Sequence, residues 1–335
     1  MKYFAISSLI ILSNLVGTYI AAGEPNQPIL WTPYDWGNLG IAHLANAPFP
    51  DESRKDGFKT ETETFPYSGH YDDNAVAIAI PKQFKPGNKI DFIVLFHGHR
   101  NQADKFILDF EIGKIFGESN CNAILVAPQG PKNVPDSSGG KMEKAGGFAR
   151  MMIELLATLK QDKKIPVKAQ FGNIIPGGFS GGYRPLAFVL HQGGMEKQIN
   201  EVWLLDAAYD FQDYLSEPFV NPQSKKTLRA IFTDHLAMEH IQIMNNLSKR
   251  GINYAVVVDE ELSTKTTLQE DYAKIRFHAD GAKLGQDELS LILRYNRIVF
   301  IHTGLPHDGL AFTRRFLADF INASPILKKS KVGAE

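Results

Sequence analysis

Gly178-Phe179-Ser180-Gly181-Gly182 is the stretch on which the reading of this chain turns. It fits G-x-S-x-G, the nucleophile elbow, in which a serine sits on a sharp turn between a strand and a helix. The turn strains the serine backbone and crowds the residues two before and two after it. Only small side chains fit there, and glycine fits best. A five-residue match arises easily by chance in a chain with 28 glycines, so its weight comes from what flanks it. Residues 171–175 form a short apolar run that suits a buried strand. Leu186, Val189 and Leu190 fall on one face of a helix over 183–190 that stops at Gly193-Gly194. Pro185 suits that helix's first turn. Pro176, with no N–H for a sheet ladder, is expected at the last position of the strand. The bland alternative is a glycine-rich turn without chemistry.

Composition sets bounds around this motif. The 335 residues are 44% hydrophobic and 22% charged, which suits one large globular domain. A formal charge of −1 gives no electrostatic case for nucleic acid or an anionic membrane surface. Cys121 is the only cysteine, which excludes an intramolecular disulfide and a cysteine-built zinc site. Residues 1–23 read as a signal peptide: Lys2, an apolar run over 4–16, then Ala21-Ala22-Gly23 for cleavage. Cleavage before Glu24 removes Lys2 and takes the charge from −1 to −2. An uncleaved anchor is the rival, since no charge lies between Lys2 and Glu24. Ser7, Ser8, Ser13 and Asn14 favour cleavage. The expectation is a secreted or periplasmic bacterial protein with no stable membrane insertion. Asn246 and Asn322 match the glycosylation sequon and are given no role.

Residues 24–70 are rich in proline and aromatics without a clear period, and read as an irregular N-terminal arm. Beyond them, apolar runs at 75–80, 92–96, 123–127, 202–205, 228–232, 254–258 and 298–301 alternate with helical patterns at 148–159, 235–249 and 309–322. Unbroken rather than alternating apolarity points to strands buried on both faces. The expected fold class is therefore α/β: a mostly parallel central sheet with helices on both faces, in a single domain over 24–327. Residues 328–335 read as a flexible tail. The charged segment 260–296 fits no element of the pattern.

A serine nucleophile needs a base, and the base needs an acid. His307 lies in a loop after the last strand and before the last helix. His302, closer to the strand, is its rival and reads as fixed in the sheet edge. For the acid, Asp206 ends the run at 202–205, and Asp234 follows the run at 228–232. A carboxylate closing such a run needs a partner, because burying it unpaired is costly. Asp206 is preferred; Asp234 is the alternative acid, with a helix N-cap as its other reading. The expected oxyanion donors are the backbone N–H groups of Gly181 and of Gly98 or His99, in the loop that follows the strand at 92–96. His97 and His99 have no third ligand at useful spacing, and His235 and His240 are five apart. No metal and no cofactor is expected.

A strand running into His97-Gly98, the elbow at Ser180, a strand-end Asp206 and a late His307 together resemble the α/β-hydrolase superfamily, over residues 75–321. The resemblance implies an eight-stranded, mostly parallel sheet and acyl transfer through a serine ester. An acid at Asp206 is similar to that of lipases that carry it after the sixth strand. Asp234 would stand after the seventh, as in most of the superfamily. Residues 204–209 and 136–141 also resemble segments of secreted bacterial hydrolases. Many esterases carry several glycines in the oxyanion loop, whereas this chain has Gly98 alone.

The expected activity is that of a carboxylesterase-like serine hydrolase, with ester hydrolysis ahead of amide hydrolysis, on a small-molecule or peptide-like substrate. The polar loop 129–141 follows a strand on the side of the site and reads either as a substrate contact or as a solvated loop. The charged 260–296 segment is unlike the apolar lid of an interfacial lipase. Two other classes fit the sequence: a catalytically dead hydrolase fold that binds a ligand in the envelope, and a peptidase or amidase acting on peptide or cell-wall fragments.

Overall fold

The computed structural model describes residues 28–258, 286–312 and 314–328. The expected signal at 1–23, most of the 260–296 segment and nearly all of the tail lie outside them.

The arm expected to be irregular is partly sheet. β1 (Leu30–Tyr34) and β2 (Gly37–His43) form an antiparallel hairpin, and β3 (Phe58–Lys59) and β4 (Thr64–Phe65) form a second, separate one. β2 then pairs with β5 (Ala75–Pro81) over its whole length. The remaining strands are β6 (Lys89–Phe96), β7 (Ala123–Pro128), β8 (Gln170–Phe179), β9 (Glu201–Leu205), β10 (Thr227–Phe232), β11 (Ala255–Val258) and β12 (Ile298–His302). They build one ten-stranded sheet in the order β1-β2-β5-β7-β6-β8-β9-β10-β12-β11. From β7 to β11 every neighbouring pair is parallel. Eight of these strands, β2-β5-β7-β6-β8-β9-β10-β12, carry the α/β-hydrolase order. β1 and β11 extend it at the two edges, which raises the expected eight strands to ten.

Both faces of the sheet are covered, which explains the unbroken apolar runs. Phe92, Val94 and Phe96 of β6 enter one core, with the helices Gly147–Gln161, Tyr183–Gln192 and Ala237–Ser248. Ile93 and Leu95 enter the other, with Ala103–Asp109, Ile112–Glu118, Gln286–Tyr295 and Arg314–Ala323. Pro176 lies inside β8, opposite Val94 of β6, and not at the strand's end. It is tolerated because the β8–β9 ladder is interrupted there, between the Ile174–Ile199 bridge and the Gly177–Trp203 pair. The parallel strands β6, β8, β9, β10 and β12 end on one edge of the sheet. Ligands in open α/β sheets bind at that edge, and here it gathers Gly98, Ser180, Asp206, Thr233 and His307. Among the described residues, no helix is long and apolar enough to cross a membrane.

Candidate active site

Ser180 follows the last residue of β8 and opens the 3-10 turn Ser180–Gly182, which runs into the helix Tyr183–Gln192. Its φ of 52° lies in the left-handed region, a strain of roughly 1–3 kcal/mol for a residue that is not glycine. The elbow glycines are steric necessities. A Cβ on Gly178 would stand 2.8 Å from the Gly182 carbonyl oxygen, and one on Gly182 would stand 2.3 Å from that of Phe96. The turn leaves the serine 8% exposed, with Oγ 2.8 Å from His307 Nε2.

His307 Nδ1 stands 2.6 Å from Asp206 Oδ2. Phe179 stacks on the imidazole at 5.3 Å, and Tyr209 meets it edge-on at 6.3 Å. Asp206 is fully buried and, like Ser180, left-handed, with φ 50°. Thr233 holds it twice: its N–H donates to Oδ1 at 2.9 Å and its hydroxyl to Oδ2 at 2.9 Å. Burial pushes the Asp206 carboxyl up, but the bonds from His307 and Thr233 outweigh it and hold the group below its ordinary value. Asp206 is thus an anion at neutral pH, aimed at Nδ1 of the imidazole. Thr233 was not singled out from sequence. The signal was available in principle, since a buried strand-end carboxylate demands donors from the adjacent strand end.

Asp234 does not reach His307. It bonds His302 Nε2 at 2.6 Å and is the first residue of the 3-10 turn Asp234–Leu236, whose capping position is Thr233. His302 is buried in the last position of β12 and stacks on Phe232 at 5.0 Å. Burial lowers its pKa, against the pull of Asp234.

The β6 loop closes over the serine from the other side. A Cβ on Gly98 would fall 2.8 Å from Ser180 Cβ, so only glycine lets the loop approach. His97 sets the loop's orientation. Its Nε2 accepts the Gly130 N–H at 2.9 Å, which leaves the proton on Nδ1 to be donated to the Gly98 carbonyl at 2.8 Å. Burial drives the His97 pKa down to about 4, so the ring stays neutral and this tautomer persists. Because the peptide is planar and trans, a Gly98 carbonyl turned toward His97 turns the His99 N–H the opposite way. The two bonds of His97 thus fix the orientation of the Gly98–His99 peptide next to the elbow. Among the described residues, no group of three His, Cys, Asp or Glu side chains could hold a metal ion.

No protein-family model and no curated protein matches the sequence. Solved structures do. A ferulic acid esterase from Anaeromyces mucronatus, in complex with ferulic acid, is 14% identical with a TM-score of 0.43, over 84% of this chain and 98% of that one. A feruloyl esterase module from Clostridium thermocellum, complexed with sinapinate, is 11% identical with a TM-score of 0.42, over 87% and 89%. An S-formylglutathione hydrolase from Staphylococcus aureus is 12% identical with a TM-score of 0.40, over 88% and 94%. At these values each is a likeness of fold.

Proposed function

We propose that this chain is a secreted or periplasmic serine hydrolase that cleaves esters of small molecules through an acyl-enzyme on Ser180. One observation carries the reading: an unbroken relay from Ser180 Oγ to His307 Nε2 at 2.8 Å, and from His307 Nδ1 to Asp206 Oδ2 at 2.6 Å. His307 accepts the serine proton as Oγ attacks the carbonyl, and Asp206 stabilises the imidazolium that forms. The developing oxyanion is met by the N–H groups of Gly181 and His99. His307 returns the proton to the leaving group, the acyl-enzyme forms, and a water activated by the same imidazole releases the acid and regenerates Ser180. The set is complete without a cofactor. Esters come before amides because an alcohol leaves more readily than an amine, so the relay has less to supply. The leader-like residues 1–23 support export.

A series of p-nitrophenyl esters of rising chain length, with a leucine p-nitroanilide alongside, tests the reading on wild type and Ser180→Ala. Ester turnover that vanishes in the variant is expected. No turnover by wild type, or equal turnover by the variant, would overturn it.

A further inference from the structure

The proposed reaction leaves unused a polar network that begins far from Ser180 and ends beside it. Asp136 is a buried carboxylate with four donors: Arg54 Nε at 2.6 Å, Arg54 Nη2 at 2.9 Å, the Tyr71 hydroxyl at 2.9 Å and the Ser138 N–H at 3.0 Å. Tyr71 is itself fixed in a small core with Phe49, Phe65 and Val134. A carboxylate satisfied in this way is held in place, and it tethers the residue joined to it. That residue is Ser137, whose hydroxyl stands 2.7 Å from His99 Nε2.

The His99 ring in turn lies against the elbow. A Cβ on Gly181 would fall 2.4 Å from His99 Cδ2, 2.8 Å from its Nε2 and 3.1 Å from Ser137 Oγ. The imidazole and the serine hydroxyl therefore occupy the space over the Gly181 Cα. Gly181 and His99 are the two residues whose N–H groups meet the oxyanion in the reading above. His99 is exposed, and an exposed imidazole is free to change rotamer unless something ties it.

We propose that Ser137 is a positioning residue for the oxyanion hole: by holding the His99 ring against Gly181, it fixes the spacing of the two N–H donors. The inference rests on the serine-hydrolase reading. Oxyanion donors stabilise only what lies at hydrogen-bond distance from where the charge develops, so a donor pair that can drift loses transition-state binding while substrate binding is spared. Arg54, Asp136 and Tyr71 act one step further out, as the anchor of the loop that carries Ser137.

The test uses full-length Ser137→Ala and Ser137→Thr, both checked for folding by circular dichroism. It reads kcat and KM on p-nitrophenyl acetate, and inhibition by an aryl trifluoromethyl ketone, which forms a hemiketal oxyanion on the serine. Ser137→Ala should lower kcat about tenfold and weaken the ketone by a similar factor, with KM within about twofold. Ser137→Thr, which keeps the hydroxyl, should recover most of the loss. Wild-type kcat and ketone affinity in Ser137→Ala would overturn the proposal. So would a rise in KM alone, or a threonine variant as impaired as the alanine one. Ser180→Ala separates the two levels: if it still turns over ester, the hydrolase reading fails. If it is dead while Ser137→Ala is fully active, only the positioning role fails.

Discussion

His307–Asp206 and His302–Asp234 are two histidine–aspartate pairs at the same edge of one sheet, and both close to 2.6 Å. Their exposures are reversed. In the first, the carboxylate side chain is 0% exposed and the imidazole 27%. In the second, the imidazole is 1% exposed and the carboxylate 49%. A shielded carboxylate behind an accessible imidazole can stabilise a proton that the ring takes from a neighbour, and Ser180 is that neighbour. An exposed carboxylate on a buried ring ties the end of β12 to the turn after β10. Distance and residue type do not separate the two pairs; burial and the third partner do. Thr233 makes the same point, since its two bonds go to Asp206 and none to the adjacent Asp234.

Substitutions at the two pairs should differ sharply in their effect on turnover. His307→Ala should reduce kcat by about 10⁵-fold or more, on the scale of losing the base of a serine relay, as read from ester turnover at pH 7.5. Asp206→Asn keeps the size but donates where the carboxylate accepted, and should cost about 10⁴-fold. The same change at Asp234 should leave kcat within about threefold, because its partner touches no reacting atom. Equal losses at both aspartates would erase the distinction between the pairs.

Buried imidazoles also predict a pH dependence of stability. His97 and His240 are buried, and burial takes each from 6.5 to about 4 in the folded state. These are depressed values, so their contribution is present above pH 6.5 and is lost as pH falls toward 4, where the unfolded chain binds protons that the fold refuses. At most, on the order of 3 kcal/mol per histidine is at stake. Urea midpoints taken from pH 7 to 4 should fall steadily, and His97→Gln should flatten the slope by about one proton. Thr233→Val sharpens the first pair at smaller scale. It removes one donor from Asp206 and should lower kcat about tenfold with KM little changed, whereas Thr233→Ser should stay close to wild type.

Much of this architecture is readable from the chain because a parallel sheet covered on both faces writes itself as unbroken apolar runs. Residues 92–96 and 123–127 show this in β6 and β7. The elbow is readable because its five residues keep a fixed spacing, although only the contact between Gly178 and Gly182 is local and Gly182 is forced by Phe96. What escapes is whatever depends on the edge or on distance. β1 is missed because it is a half-exposed edge strand that contains Pro33, and β2 because it opens on Gly37 and mixes buried with half-buried positions. Pro176 is misjudged because the gap that tolerates it belongs to the neighbouring strand. The preference for Asp206 over Asp234 rests in sequence only on position, and in the structure Asp206 is the one that lies at His307. Thr233, 27 residues from its carboxylate, is signalled only by the need of a buried Asp206 for donors, and Arg54, 82 residues from Asp136, carries no local mark.

If Ser180 is a nucleophile activated by His307, it should be the one serine that a fluorophosphonate modifies. Treatment with a fluorophosphonate, followed by intact mass and peptide mapping, tests it most directly. A single adduct on the peptide containing Ser180, absent in Ser180→Ala and strongly slowed in His307→Ala, is the result predicted. No adduct on wild type, or an adduct on another residue that persists in Ser180→Ala, would contradict it.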